Sequence, residues 1–174
     1  MPRSNPDALT LTRKLLRVLI ILNRLMGVGI LALLVATLVA ERPVMEALGV
    51  PAAERSTRLI LGMRMIMVLG IAAVPIAHVV LTRLLTIVHT VVDGDPFVME
   101  NAGRLQRIAW AMLGLELLHL CVVAVAAGIS TDQTPLDIGG GFSVTRWLAV
   151  LLLFVLARVF EQGARMREDL AGTV

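Results

Sequence analysis

Charge is scarce in this sequence. Only 17% of its 174 residues are Asp, Glu, Lys or Arg, while 57% are hydrophobic. A soluble domain carries roughly 25% charged and about 45–50% apolar residues, so a water-surrounded globule is excluded. Lysine is nearly absent: Lys14 stands alone, and arginine supplies the rest of the basic residues behind a formal net charge of +3. Basicity on a soluble chain would suggest nucleic acid, but here the cations sit beside apolar blocks, where they orient membrane helices. The single cysteine, Cys121, excludes an internal disulfide, and no Cys/His spacing typical of a metal site accompanies it. A catalytic constellation is missing too. Ser4, Ser56, Ser130 and Ser143 fall at the terminus or in connections, with no histidine on an adjoining element to activate them. The run Gly139-Gly140-Gly141 lacks the Lys-Ser/Thr of a phosphate-binding loop. These absences argue against an enzyme, and no catalytic residue or metal ligand is assigned.

What is present is apolar sequence in four blocks, with spans expected at about 15–40, 65–90, 106–128 and 143–160 of a single membrane domain, 1–174. Crossing a ~30 Å hydrocarbon core takes about 20 predominantly apolar residues. The first three blocks meet that. The fourth has an uncharged core only from Trp147 to Ala157, and spans if Arg146 and Arg158 snorkel to opposite interfaces. The N-terminus resembles a signal peptide only superficially, since its basic region reaches Arg24, and it reads as a retained first helix. With the N-terminus inside, only Arg42, Arg55, Arg58, Arg64 and Arg146 of the 16 basic residues fall outside. The positive-inside rule then places both termini in the cytoplasm. The expected fold is all-α: an integral-membrane four-helix bundle, N-in and C-in, with a cytoplasmic helical hairpin extension. The outer connection around Pro43 and Pro51 has room for a short surface helix. Ala32, Ala36 and Ala40 form a small-residue stripe suited to close helix packing or a homo-oligomer face.

The hairpin tip, 91–107, breaks the apolar pattern with Asp-Gly-Asp-Pro. Gly94 suits the left-handed residue that ends a helix, Asp95 a cap, and Pro96 the first helical position. Gly94, Asp95, Pro96 and Phe97 are therefore the expected structural hinge between two helices longer than the membrane is thick. Beyond Arg158 an amphipathic extension, 158–170, puts Val159, Gly163, Met166 and Leu170 on one face. That face could pack on the hairpin, dock a cytoplasmic partner or lie on lipid.

The motif Gly94, Asp95, Pro96, Phe97, then Asn101, Arg104 and Leu105, resembles the central signature of a bacterial membrane-protein family, the domain-of-unknown-function family 2975. Phe160, Gly163, Glu168, Asp169 and Leu170 are similar to that family's ending. The resemblance implies a bacterial cytoplasmic (inner) membrane protein without established activity. It also implies genes often placed beside a small Cro/CI-type helix-turn-helix regulator. The expected function is to bind and regulate such a regulator, with no direct contact to nucleic acid. Asn101, Arg104, Arg107, Arg165, Glu168 and Asp169 are the expected partner-binding residues.

A competing reading places a ligand in the membrane. Glu116 is the one carboxylate within a span, and such residues are functional suspects. His119 shares its helix face, and His78 falls at a similar distance from the tip on the preceding helix. The three residues allow a Glu–His pair or protonated Glu116 pinning the bundle, a proton-linked, lipid or small-ligand site, a haem between the histidines, or a zinc site. The expected cofactor is none, with haem as the alternative.

Overall fold

The structure, a computed structural model, describes residues 6–50, 52, 55–92, 98–130 and 141–171, and within them every side chain but those at 6–9, 168, 170 and 171. Five helices make up the described chain, without a strand: α1 (Pro6–Val39), α2 (Glu41–Ala47), α3 (Thr57–Val92), α4 (Met99–Ile129) and α5 (Val144–Ala171). Local chemistry sets several boundaries. The Leu59 amide donates to Ser56 Oγ at 3.1 Å, which satisfies one exposed donor of α3's first turn. Gly49, with φ of 75°, ends α2; its amide bonds the Glu46 carbonyl at 3.0 Å and the next amide bonds Met45. The short surface helix expected near Pro43 is therefore α2, and Met45 is its fully buried anchor.

Three helices are long and apolar enough to cross a membrane: Thr10–Val39, Thr57–Val92 and Met99–Ile129. Their hydroxyls bond backward along the helix, Thr37 to the Leu34 carbonyl at 2.7 Å and Thr82 to His78 at 2.8 Å. Such bonds let a threonine sit in an apolar run without an orphaned donor.

The long helices pack each on the next in chain order: α1 on α3, α3 on α4, α4 on α5. No comparable contact joins α1 to α5 among the described residues, so the four long helices lie in chain order as an open layer. The reason is physical. In water a bundle closes to bury its apolar faces, whereas in lipid those faces cost nothing exposed. Leu11, Val18, Leu25, Val28 and Leu38 of α1 are accordingly all exposed.

Neighbours run antiparallel. The Asn23 side-chain amide donates to the Val74 carbonyl at 3.1 Å, a Cβ on Gly70 would stand 3.5 Å from Ile30 Cδ1, and Asn101 Nδ2 donates to Thr90 Oγ1 at 2.7 Å. One end of the layer, the tip end, therefore holds the start of α1, Val92, Met99 and the close of α5. The other, the cap end, is covered by α2. There Arg64 bonds the Thr37 carbonyl and pairs with Glu41 at 2.7 Å, tying α1, α2 and α3 together.

Two glycines permit the closest approaches. A Cβ on Gly27 would meet Val74 Cγ1 at 2.9 Å, and one on Gly62 would collide with Ile129 Cγ2 and Cδ1. Gly27, rather than the alanine stripe, thus sets the α1–α3 separation; Ala32 is exposed.

The fourth block stands apart from the other three. α5 is not among the helices apolar enough to span. Arg146, at its first turn, meets Glu116, and Trp110 meets Phe154 edge-on at 5.2 Å between ring centroids. Past Glu116, α4 continues for about 20 Å to Ile129 at ~1.5 Å per residue, while α5 has only just begun. So α5 lines the tip-end part of α4's apolar run and stops partway. Its charges decide this, since only an apolar stretch of that length is favoured at full depth.

Candidate functional site

The tip end is built on a buried polar clamp. Asn101 is completely buried; its Nδ2 donates to Thr90 Oγ1 at 2.7 Å, and Thr90 Oγ1 in turn bonds the Ile87 carbonyl at 2.7 Å. Arg104 Nη1 donates to Asn101 Oδ1 at 2.7 Å. Guanidinium, carboxamide, hydroxyl and carbonyl form a chain that locks the first turn of α4 to the last of α3. Because every member has a partner, the network stabilises rather than penalises the junction. Asn101 therefore cannot contribute to a docking surface, and Arg104 is half-buried in the same network. Their place in the signature follows from holding the hairpin.

The hinge residues Gly94, Asp95, Pro96 and Phe97 lie outside the described residues. The helix after them begins later than the proline suggested, at Met99, with Val98 as the extended residue before it (φ −101°, ψ 146°). A β-branched residue favours that conformation, and the Asn101 amide closes the turn on the Val98 carbonyl at 3.0 Å.

On α5 the seam toward α4 is Val150, Ala157 and Ala164, all buried. Val159 and Met166, which share the extension's apolar face, are both more than half exposed and so do not pack on the hairpin. Toward the tip the seam narrows to the alanines Ala157 and Ala164, whose small side chains let the two helices come close. Glu161 bridges Arg158 at 2.9 Å and Arg165 at 2.6 Å along the exposed side of the same helix. Arg107 and Asp169 are exposed as well; the side chain of Glu168 lies outside the described residues.

Between α4 and α5, level with the clamp, lies a groove of about 470 Å³ lined by Met99, Ala102, Gly103, Gln106, Phe154, Ala157, Arg158 and Glu161. Gly103 forms an empty part of its wall: a Cβ there would have no neighbour within 4 Å. The groove has an apolar floor and an Arg–Glu rim, beyond the apolar run that begins at Ile108. Gly103 and Glu161 gave no sequence signal, since groove formation depends on how α4 and α5 are placed.

The intramembrane residues separate. Glu116 is buried and its ionic partner is Arg146, Nε to Oε2 at 3.5 Å, the residue assigned from sequence to an outer interface. That length is an ion pair's rather than a short charge-assisted hydrogen bond's. The histidines are not level. A Cβ on Gly114 would stand 3.9 Å from Ile76 Cδ1, so His78 falls near residue 113 of α4, roughly six residues and about 9 Å from His119 along the axis. Direct α3–α4 contact on both sides of this level leaves no slot for a haem plane between them. His78 Nδ1 is buried without a hydrogen-bond partner among the described residues. No group of three His, Cys, Asp or Glu side chains converges as a metal site among them.

A family model described as "Protein of unknown function (DUF2975)" matches residues 33–174, which include both motifs and α2 to α5. No curated protein and no solved structure matches the chain.

Proposed function

We propose, for a chain that belongs to the DUF2975 family of proteins of unknown function, a non-enzymatic role: its tip end binds and regulates a small helix-turn-helix transcription regulator. In this reading the protein sits in a bacterial cytoplasmic membrane with the tip end and both termini in the cytoplasm. The charge distribution supports that side. Arg13, Arg17, Arg83, Arg104, Arg107, Arg158 and Arg165 gather toward the tip, where Glu161 pairs with the last two, against Arg42, Arg55, Arg58 and Arg64 at the cap end, where Glu46 and Glu41 pair with Arg55 and Arg64.

The observation that carries the reading is the α4–α5 groove with its unfilled Gly103 wall and its Arg158 and Glu161 rim. An apolar floor with a charged rim is the anatomy of a protein-docking surface. The binding set shifts accordingly, from the buried clamp to Gly103, Gln106, Arg158 and Glu161, together with exposed Arg107 and Arg165.

Gly103→Trp fills the groove without touching the clamp. With a co-expressed small Cro/CI-type regulator from the same genome, the wild-type protein retains the regulator on purification. Gly103→Trp weakens retention by about tenfold or more, a ~1.4 kcal/mol effect. Undiminished retention by the variant rejects the groove as the docking site. The ligand reading centred on Glu116, His78 and His119 draws less support, since Glu116 is paired with Arg146 and the histidines are offset.

A further inference from the structure

We propose that a second groove, between α1 and α3, binds one anionic phospholipid, with its phosphate on Arg24 and an acyl chain along Val28, Leu31, Ile71 and Val74. The groove encloses about 500 Å³, and Arg24, Gly27, Val28, Leu31, Ile71, Val74 and Pro75 line it. Every lining residue but one is apolar. Gly27 opens the space by having no side chain.

Arg24 is the exception. It is exposed and, like Arg17, Arg42, Arg58 and Arg107, has no partner among the described residues. What sets it apart from them is its depth. The pairings of Gly27 with Val74, Ile30 with Gly70 and Thr37 with Arg64 set Arg24 level with about residue 76 of α3, inside the uncharged stretch between Arg64 and Arg83 and about 10 Å inward of Arg83. A guanidinium at that depth needs an anion, and one arginine side chain cannot carry it fully to the surface.

The surrounding chemistry names the occupant. A guanidinium pairs with phosphate through two parallel hydrogen bonds. The rest of the groove offers only carbon, which a free phosphate would leave empty and an acyl chain fills. A diacyl phospholipid supplies both parts in one molecule, and net negative charge matches an unbalanced cation. The site lies on helices remote from the α4–α5 groove, so it stands or falls apart from the regulator reading.

The test is native mass spectrometry of the full-length protein released from nanodiscs of phosphatidylglycerol or phosphatidylcholine. Wild type retains one phosphatidylglycerol in preference to phosphatidylcholine by about fivefold. Arg24→Gln removes the cation and Val28→Trp blocks the groove from an exposed position; both lose that lipid, whereas Arg17→Gln keeps it and Arg24→Lys keeps part. Helix content and melting are measured on each variant, and Val28→Trp, which disturbs no buried contact, decides the matter if Arg24→Gln unfolds. Equal retention by wild type and Val28→Trp overturns the proposal. So does release of the lipid by inorganic phosphate, or indifference to the headgroup.

Discussion

At the scale of the residue, one ion pair shows how position in the membrane changes what a charge does. Glu116 is buried within α4, and Arg146 supplies its opposite charge from the first turn of α5. Removing one partner leaves the other charged in an apolar setting, which typically costs about 3–5 kcal/mol. Glu116→Ala and Arg146→Ala are each expected to lower unfolding stability in bicelles by about 3 kcal/mol, Glu116→Ala the more because the glutamate is the more buried. Exchanging the pair, Glu116→Arg with Arg146→Glu, should recover more than half of the loss. If the exchanged protein is no more stable than the single variants, the pair is not what holds α5. Asn101 is the other residue whose role depends on surroundings. In the sequence it stands out as a polar residue in a motif and invites a surface role, yet complete burial gives it three bonded neighbours within its own hairpin.

At the scale of the element, the helices pair through small residues at few points, and those points carry the geometry. Gly62 lies against Ile129, so any side chain there must push the cap end of α3 away from α4. Gly62→Leu is expected to cost about 1–3 kcal/mol by overpacking. Amide hydrogen exchange in the cap-end turns of α3 and α4 should rise in that variant, while exchange at the tip, held by Asn101 and Thr90, is unchanged. Unchanged cap-end exchange would show that Ile129 simply turns aside. α5 illustrates the limits of reading a face from periodicity. A helical wheel separates apolar from polar residues, and so favours Val159 and Met166. Closeness of approach selects Ala157 and Ala164 instead, and a wheel carries no information about distance between helices.

At the scale of the whole molecule, three helices reach from end to end and α5 stops partway, which makes a topology prediction. Cys121 is replaced by alanine so that introduced cysteines are the only thiols. A cysteine at Ala47, on the cap end, should react with a membrane-impermeant maleimide from one side, and one at Arg167 only from the other. A cysteine at Thr145 is expected to resist from both, because α5 begins beside Glu116 within the apolar depth of α4. Ready labelling of Thr145→Cys together with Ala47→Cys would mean that α5 crosses fully.

Composition alone determined that this chain is suited to a membrane, because too little charge is present to cover a water-facing surface. Hydropathy along the chain located the long helices, since a hydrocarbon layer imposes a length that local sequence must meet. Proline and glycine marked where α2 lies, and the same tip motif marked the α3–α4 hairpin. The tertiary structure decided the rest: that the layer stays open, that Arg146 meets Glu116, that Asn101 is a clamp, and that two grooves form where Gly27 and Gly103 leave space. Each of these depends on the axial register and spacing of neighbouring helices. In lipid, hydrophobicity does not pull apolar faces together, so register rests on a few polar bonds and small residues that only their three-dimensional partners explain.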